Sequence, residues 1–305
     1  MRTLHELLIG SPLPTRMLNA ERLDKMRALA ALSPDALSSI AYANQEIYLG
    51  LVVAGTAALN LSFPIALAIA LLLAILTLSY SQTILAYPNG GGSYTVASEN
   101  LGSLPGLIAA AALLIDYILT AAVSLTAGVA AIASAFPFLW QFRVELALLL
   151  LGVIMTANLR GLREVGTLIA VPVYAFIGSY LFMLAYGVVR AIAEGPGSFP
   201  EASVMPVQNT MAPLTLALIL HTFSSGCTAL TGVEAISNGV TIFEPPETRN
   251  ARQTMIVMAV LMGVLLLGSI GLTQYFAITT TSEETILSAL ARHIFGSNLF
   301  YYVTQ

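Results

Sequence analysis

Residues 47–78 carry no charged side chain, and neither do residues 65–98. Each run exceeds the ~20 residues that a helix needs to cross the hydrocarbon core of a bilayer. A chain in lipid must satisfy its own backbone hydrogen bonds, so runs of this kind predict membrane-spanning helices. Composition agrees: 57% of the 305 residues are apolar, 9% are charged, and mean hydropathy is +0.83. The net charge of −4 comes without any Lys/Arg cluster, so nucleic acid is not an expected partner and membrane lipid is. Cys227 is the single cysteine, which rules out a disulfide within the chain and a cysteine-based metal site.

Seven spans are expected, at roughly 34–57, 64–87, 105–135, 143–159, 165–190, 213–240 and 253–278, with the start of an eighth at 298–305. Residues 1–33 hold five basic residues and no apolar stretch of signal-peptide length, so they read as a cytoplasmic segment. Within it, residues 15–32 are basic and amphipathic and are expected along the membrane surface. Residues 191–212, rich in Pro and Gly, read as an external loop. Residues 281–296 read as a short surface helix capped by Thr281 or Ser282, with Glu283 and Glu284 in its first turn. An inside N-terminus puts nine basic residues on inner segments (Arg2, Arg16, Arg22, Lys25, Arg27, Arg160, Arg163, Arg249 and Arg252). Three, Arg143, Arg190 and Arg292, fall outside. That bias sets the orientation.

Two spans are interrupted. LSSIAYANQE (37–46) breaks the apolar pattern of the first, and HTFSSGCTALTGVEA (221–235) breaks that of the sixth. Five spans apart, the two run in opposite directions. Interrupted helices at corresponding positions of two halves point to a transporter binding site.

A carboxylate at mid-bilayer costs on the order of 2.5–3.5 kcal/mol, so it faces protein and marks an ion or proton path. Asp116 is such a residue. Asp116, Tyr117, Thr120 and Ser124 fall within about 100° of helix surface, a stripe of one carboxylate and three hydroxyls suited to a dehydrated cation. The competing reading is a hydrogen-bonded helix–helix contact. Asp35 and Tyr42 flank the first interruption; Asp35 competes with Ser33 for a capping role. Glu234, just past the second, is the other deep carboxylate. Burial disfavours the charged form of a carboxyl, which suits a proton carrier, while a structural hydrogen bond stays open for it. YPNGGGSYTVASENLG (87–102) lacks the GxxxxGK[ST] phosphate-loop pattern and reads as a tight loop before a surface helix. No nucleophile–base spacing involves His221, Cys227 or the serines, so neither an enzyme nor a cofactor is expected.

LSPDALSSIAYANQEI, YPNGGGSYTVASENLG, LLIDYILTAAVSLTAGVAAI, ANLRGLREVG and SGCTALTGVEAISNGV together resemble the amino acid/polyamine/cation permease superfamily, and within it the KimA-type branch of bacterial proton-coupled potassium importers. The resemblance runs along nearly the whole chain. It implies an all-α, LeuT-like inverted-repeat fold with broken helices one and six, the first five-helix repeat at about 34–190. The second repeat starts at about 213–305 and is cut short, so the 305 residues are expected to be part of a longer protein. It implies potassium held by Asp35, Tyr42, Asp116, Tyr117, Thr120, Ser124 and Thr231, with Glu234 as the proton-coupling residue. A multi-pass cell-membrane location, a homodimer, and cyclic-dinucleotide regulation through a C-terminal region absent here follow from the same likeness. An amino acid or amine permease of the same superfamily is the alternative. Asp35 and Asp116 would repel a substrate carboxylate, and the first interruption has no glycine to receive one.

Overall fold

The computed structural model describes residues 22–158, 162–197, 213–280 and 283–305. Among these, helices account for all the regular structure; the one β-type contact is an isolated bridge between Leu23 and Phe243. The helices are α1 (Lys25–Leu32), α2 (Pro34–Val52), α3 (Ser62–Ala86), α4 (Ser93–Leu101), α5 (Ser103–Ala135), α6 (Arg143–Asn158), α7 (Leu162–Glu194), α8 (Leu216–Gly226), α9 (Ala235–Asn238), α10 (Glu247–Tyr275), α11 (Ile286–Phe295) and α12 (Leu299–Thr304). Among the described residues, six segments are long and apolar enough to cross a membrane: Thr56–Ala86, Ser103–Ala135, Pro137–Thr156, Ile169–Glu194, Leu216–Asn238 and Glu247–Tyr275. α2, expected as the first span, is not among these six. Asp35, Asn44, Gln45 and Glu46 make it less apolar than those six, and it packs in contact with α3, α5, α8, α10 and α11.

The first span is not broken where the sequence suggested. α2 runs unbroken through 37–46. Its polar residues are spent on neighbours: Asn44 donates to Thr273 Oγ1 (3.1 Å), Gln45 accepts from the Ile286 N–H (2.6 Å), and Tyr48 accepts from the Thr280 N–H (3.3 Å). The interruption lies earlier, at Ser33, between α1 and α2. Pro34 causes it, since it has no N–H to continue α1 and is well placed as the first residue of a new helix.

α1 packs on α7 and α10 with Ala28, Leu29 and Ala30 buried. Asp24 caps it by accepting from the Arg27 N–H at 2.9 Å. The bridge ahead of it ties Leu23 to Ile242 and Glu244, Arg22 pairs with Glu247, and Lys25 donates to Gln253 (3.1 Å). The N-terminal segment and the start of α10 therefore share one end of the molecule, with Arg249 and Arg252. At the other end Arg190 pairs with Glu194 and donates to the Ile294 carbonyl (2.7 Å), while Arg292 pairs with Glu284. Residues 1–21, Arg160 and 198–212 lie outside the described residues, as do Thr281 and Ser282. The cap of α11 is Thr285, which accepts from the Ser288 N–H at 3.2 Å. Glu283 and Glu284 precede the helix instead of filling its first turn.

The sixth span is broken as expected. α8 ends at Gly226, a 3-10 turn covers Cys227–Leu230, Thr231 is extended, and α9 begins only at Ala235. This span lies antiparallel to α2: Gly50 abuts Thr222, Gly226 abuts Ile47, and Gly232 abuts Asp35. α3 and α10 are antiparallel too, joined near Ser81–Met255 at one end and Phe63–Gln274 at the other.

Candidate functional site

α2, α5 and the broken span meet at one junction. On α2, Asp35, Ser38 and Tyr42 are three and four residues apart and share a face. Pro34 is the first helical residue and Asp35 the second, where the helix dipole favours a carboxylate. Neither contender caps α2 by side chain: Ser33 holds the cap position without such a bond, and the Ser33 hydroxyl is buried. Tyr42 is buried, and its phenol faces Ser124 and Thr231. Ser38 Oγ lies 3.1 Å from Ser124 Oγ.

α5 supplies Asp116, Tyr117, Thr120 and Ser124. Thr120 is one of only four buried residues along α5, which marks the face turned to protein. Asp116 and Ser124 are half-buried, and Tyr117 is the most exposed of the set, at 39%. The Tyr117 hydroxyl accepts from Asn238 Nδ2 at 3.1 Å and also faces Glu234.

The broken span brings Thr231 and Glu234. The Thr231 hydroxyl donates to the Thr228 carbonyl (2.9 Å). Gly232 has φ +77°, and a Cβ there would stand 2.7 Å from the Ala36 nitrogen and 2.9 Å from the Asp35 carboxyl. Only glycine lets the broken span close on the first turn of α2. Glu234 is 8% exposed. The PNGGG loop supports this segment: the Gly91 N–H donates to the Ser237 carbonyl (3.2 Å), and Ser237 Oγ donates back to the Gly91 carbonyl (2.8 Å). The glycines of that loop therefore serve packing against α9, and α4 follows as a helix with no buried residue.

The structure thus brings the carboxyls of Asp35, Asp116 and Glu234 within electrostatic reach of one another. Among the described residues no ion pair involves any of the three. Nor do three or more His, Cys, Asp or Glu side chains gather tightly enough to form a metal cluster. Hydroxyls of Tyr42, Tyr117, Ser124 and Thr231 stand beside the acids. Seven buried side-chain oxygens lack a hydrogen-bond partner among the described residues. Four of them, on Ser33, Asp35, Thr228 and Glu234, belong to α2's start and the broken span. Buried polar atoms are rarely left unpaired, so such a group calls for a water, an ion or a proton. Sequence reasoning missed Ser38, Asn238, Thr228 and Tyr80, which faces Glu234. Asn238 was within reach, because it stands one turn beyond Glu234.

Six membrane-length apolar segments among the described residues, with a polar junction between them, mark a multi-pass membrane protein. The family model for amino acid permeases matches residues 35–303, and the chain belongs to that family. It is 45% identical over 303 residues to the potassium transporter KimA of Bacillus subtilis (strain 168), a match covering 99% of this chain and 50% of KimA. The chain spans about half the length of that curated relative.

Proposed function

We propose that this chain forms the cation path of a secondary active transporter that imports potassium together with protons. The unpaired buried oxygens of Asp35, Thr228 and Glu234 carry this reading. A weakly hydrated monovalent cation is satisfied by mixed carboxylate, hydroxyl and carbonyl oxygens, and the break after Gly226 frees backbone carbonyls at the same place. Asp35, Tyr42, Asp116, Tyr117, Thr120, Ser124 and Thr231 are the cation-binding residues in this account, and Glu234 is the proton carrier. The similarity to KimA, whose name states potassium transport, supports the choice of cation.

The end bearing Arg22, Lys25, Arg27, Arg249 and Arg252 faces the cytoplasm of a cell membrane, in line with the positive-inside rule. The antiparallel pairing of α2 with the sixth span, and of α3 with α10, supports two inverted repeats of LeuT type working by alternating access. Homodimer formation and cyclic-dinucleotide control belong to the same proposal, and no cofactor is required by it.

A second reading has one observation in its favour. The family description is amino acid permease, and an amine or cationic amino acid would also meet three carboxylates. Uptake into proteoliposomes separates the two. Labelled rubidium should accumulate and be displaced by potassium, with no effect of an amino acid and amine panel. Uptake of an amine with no rubidium uptake would select the second reading.

A further inference from the structure

Where α3 ends beside the start of α10, Leu85, Thr248, Arg249, Arg252, Gln253 and Ile256 line a cleft of about 440 Å³. Its two arginines stand apart from Arg22, Lys25, Arg27, Arg143, Arg190 and Arg292. Arg22, Arg27, Arg190 and Arg292 are ion-paired, Lys25 is bonded to Gln253, and Arg143 sits 5.7 Å over the Trp140 ring. Arg249 and Arg252 are exposed and, among the described residues, have neither an ion pair nor a side-chain hydrogen bond.

The cleft continues along the bundle as apolar surface. On α10, Arg249, Arg252, Ile256, Val260 and Val264 fall within about 120° of helix face. Ile256, Val260 and Val264 are 44%, 60% and 49% exposed. On α3, Leu85, Leu78 and Leu71 recur every seven residues and are 55%, 66% and 64% exposed. The two helices are antiparallel neighbours, so these rows run alongside each other from the arginines toward mid-membrane. Two arginines without an ion pair among the described residues, at one end of two rows of exposed apolar side chains, complement a molecule with a phosphate head and a hydrocarbon tail.

We propose that this cleft binds one anionic phospholipid of the cytoplasmic leaflet, its phosphate between Arg249 and Arg252 and an acyl chain between the Leu85–Leu71 and Ile256–Val264 rows. The choice of leaflet rests on the cytoplasmic assignment of that end. Guanidinium groups hold phosphate oxygens in bidentate fashion, which a zwitterionic headgroup, with its own cation close by, rewards less. Each arginine near an anionic headgroup should favour binding about fivefold.

The test is native mass spectrometry of the purified protein in micelles carrying equal dioleoyl phosphatidylglycerol and dioleoyl phosphatidylcholine. Wild type should retain phosphatidylglycerol in preference. Arg249→Gln and Arg252→Gln should each weaken retention about fivefold, and the double variant about 25-fold, while Arg143→Gln changes nothing. Millimolar inorganic phosphate should not displace the lipid. Equal retention of both lipids by wild type, or full phosphatidylglycerol retention by a monodisperse double variant, overturns the proposal. Displacement by phosphate makes this a free-anion site and overturns it too. Retention is read without transport, so its failure leaves the transport proposal standing.

Discussion

Asp116 is the residue on which a cation path most depends. It is half-buried at mid-helix, and among the described residues no ion pair involves it. Asp116→Asn should abolish rubidium uptake while leaving membrane insertion intact, because removing a charge eases burial in lipid. Uptake in proteoliposomes beside a membrane-fraction assay checks both halves, and wild-type uptake would make Asp116 a packing residue. Ser124→Ala should cost less, since water can replace one neutral oxygen of several. Gly232 gives a second test at this scale. An alanine there would meet the Ala36 nitrogen and the Asp35 carboxyl at φ +77°, a backbone cost of about 1–2 kcal/mol before any clash. Gly232→Ala should therefore lower the thermal midpoint and stop uptake together. The deep carboxylates were legible from sequence because a charge in an apolar run has few structural uses. Ser38, Tyr80, Thr228 and Asn238 were not, because Ser, Tyr, Thr and Asn recur throughout membrane helices as ordinary hydrogen-bonding residues.

At the scale of elements, one signal had two meanings. Polar residues inside an apolar span mark unwound backbone in the sixth span and helix-to-helix bonds in α2. What separates them is glycine: Gly226 and Gly232 attend the real break, while 37–46 has none. The interruption of the first span was written in Pro34, three residues before the stretch that drew attention. α2 then carries its own prediction. Asn44, 2% exposed, holds Thr273 of α10. Asn44→Ala leaves that hydroxyl buried and unpaired, at a cost of about 1–3 kcal/mol. A lowered thermal midpoint in detergent is the expected result; an unchanged midpoint would mean that α2 and α10 are not joined there. α11 shows how caps shift boundaries. Thr281, Ser282 and Thr285 all suit an N-cap, and sequence alone does not rank them; Thr285 accepts from the Ser288 N–H.

Across the whole molecule, the order of apolar helices was the most legible property, because lipid tolerates so few alternatives. The burial of α2 was not, since that depends on which helices surround it. Arginine placement has a direct consequence for orientation. With Cys227 replaced by serine, a cysteine at Gln141, beside Trp140, should react with an impermeant maleimide from outside. One at Thr241, beside the Leu23–Phe243 bridge, should react only after the membrane is opened. The reverse pattern would invert the topology.

Coupling to protons is the claim at the centre of this account. Membrane potential supplies about 2.3 kcal/mol per charge per 100 mV, roughly a fifty-fold gradient of a monovalent cation. Accumulation from more dilute medium needs a second source, and a co-moving proton adds one charge and any pH difference. Glu234 is placed to carry it: buried, facing Tyr117, in electrostatic reach of Asp116 and Asp35, with one oxygen unpartnered. Rubidium uptake into proteoliposomes under an imposed pH gradient at clamped potential measures this directly. Wild type should accumulate rubidium, while Glu234→Gln should retain cation binding or exchange but no longer respond to the gradient. Gradient-driven accumulation by Glu234→Gln at the wild-type level would contradict the account.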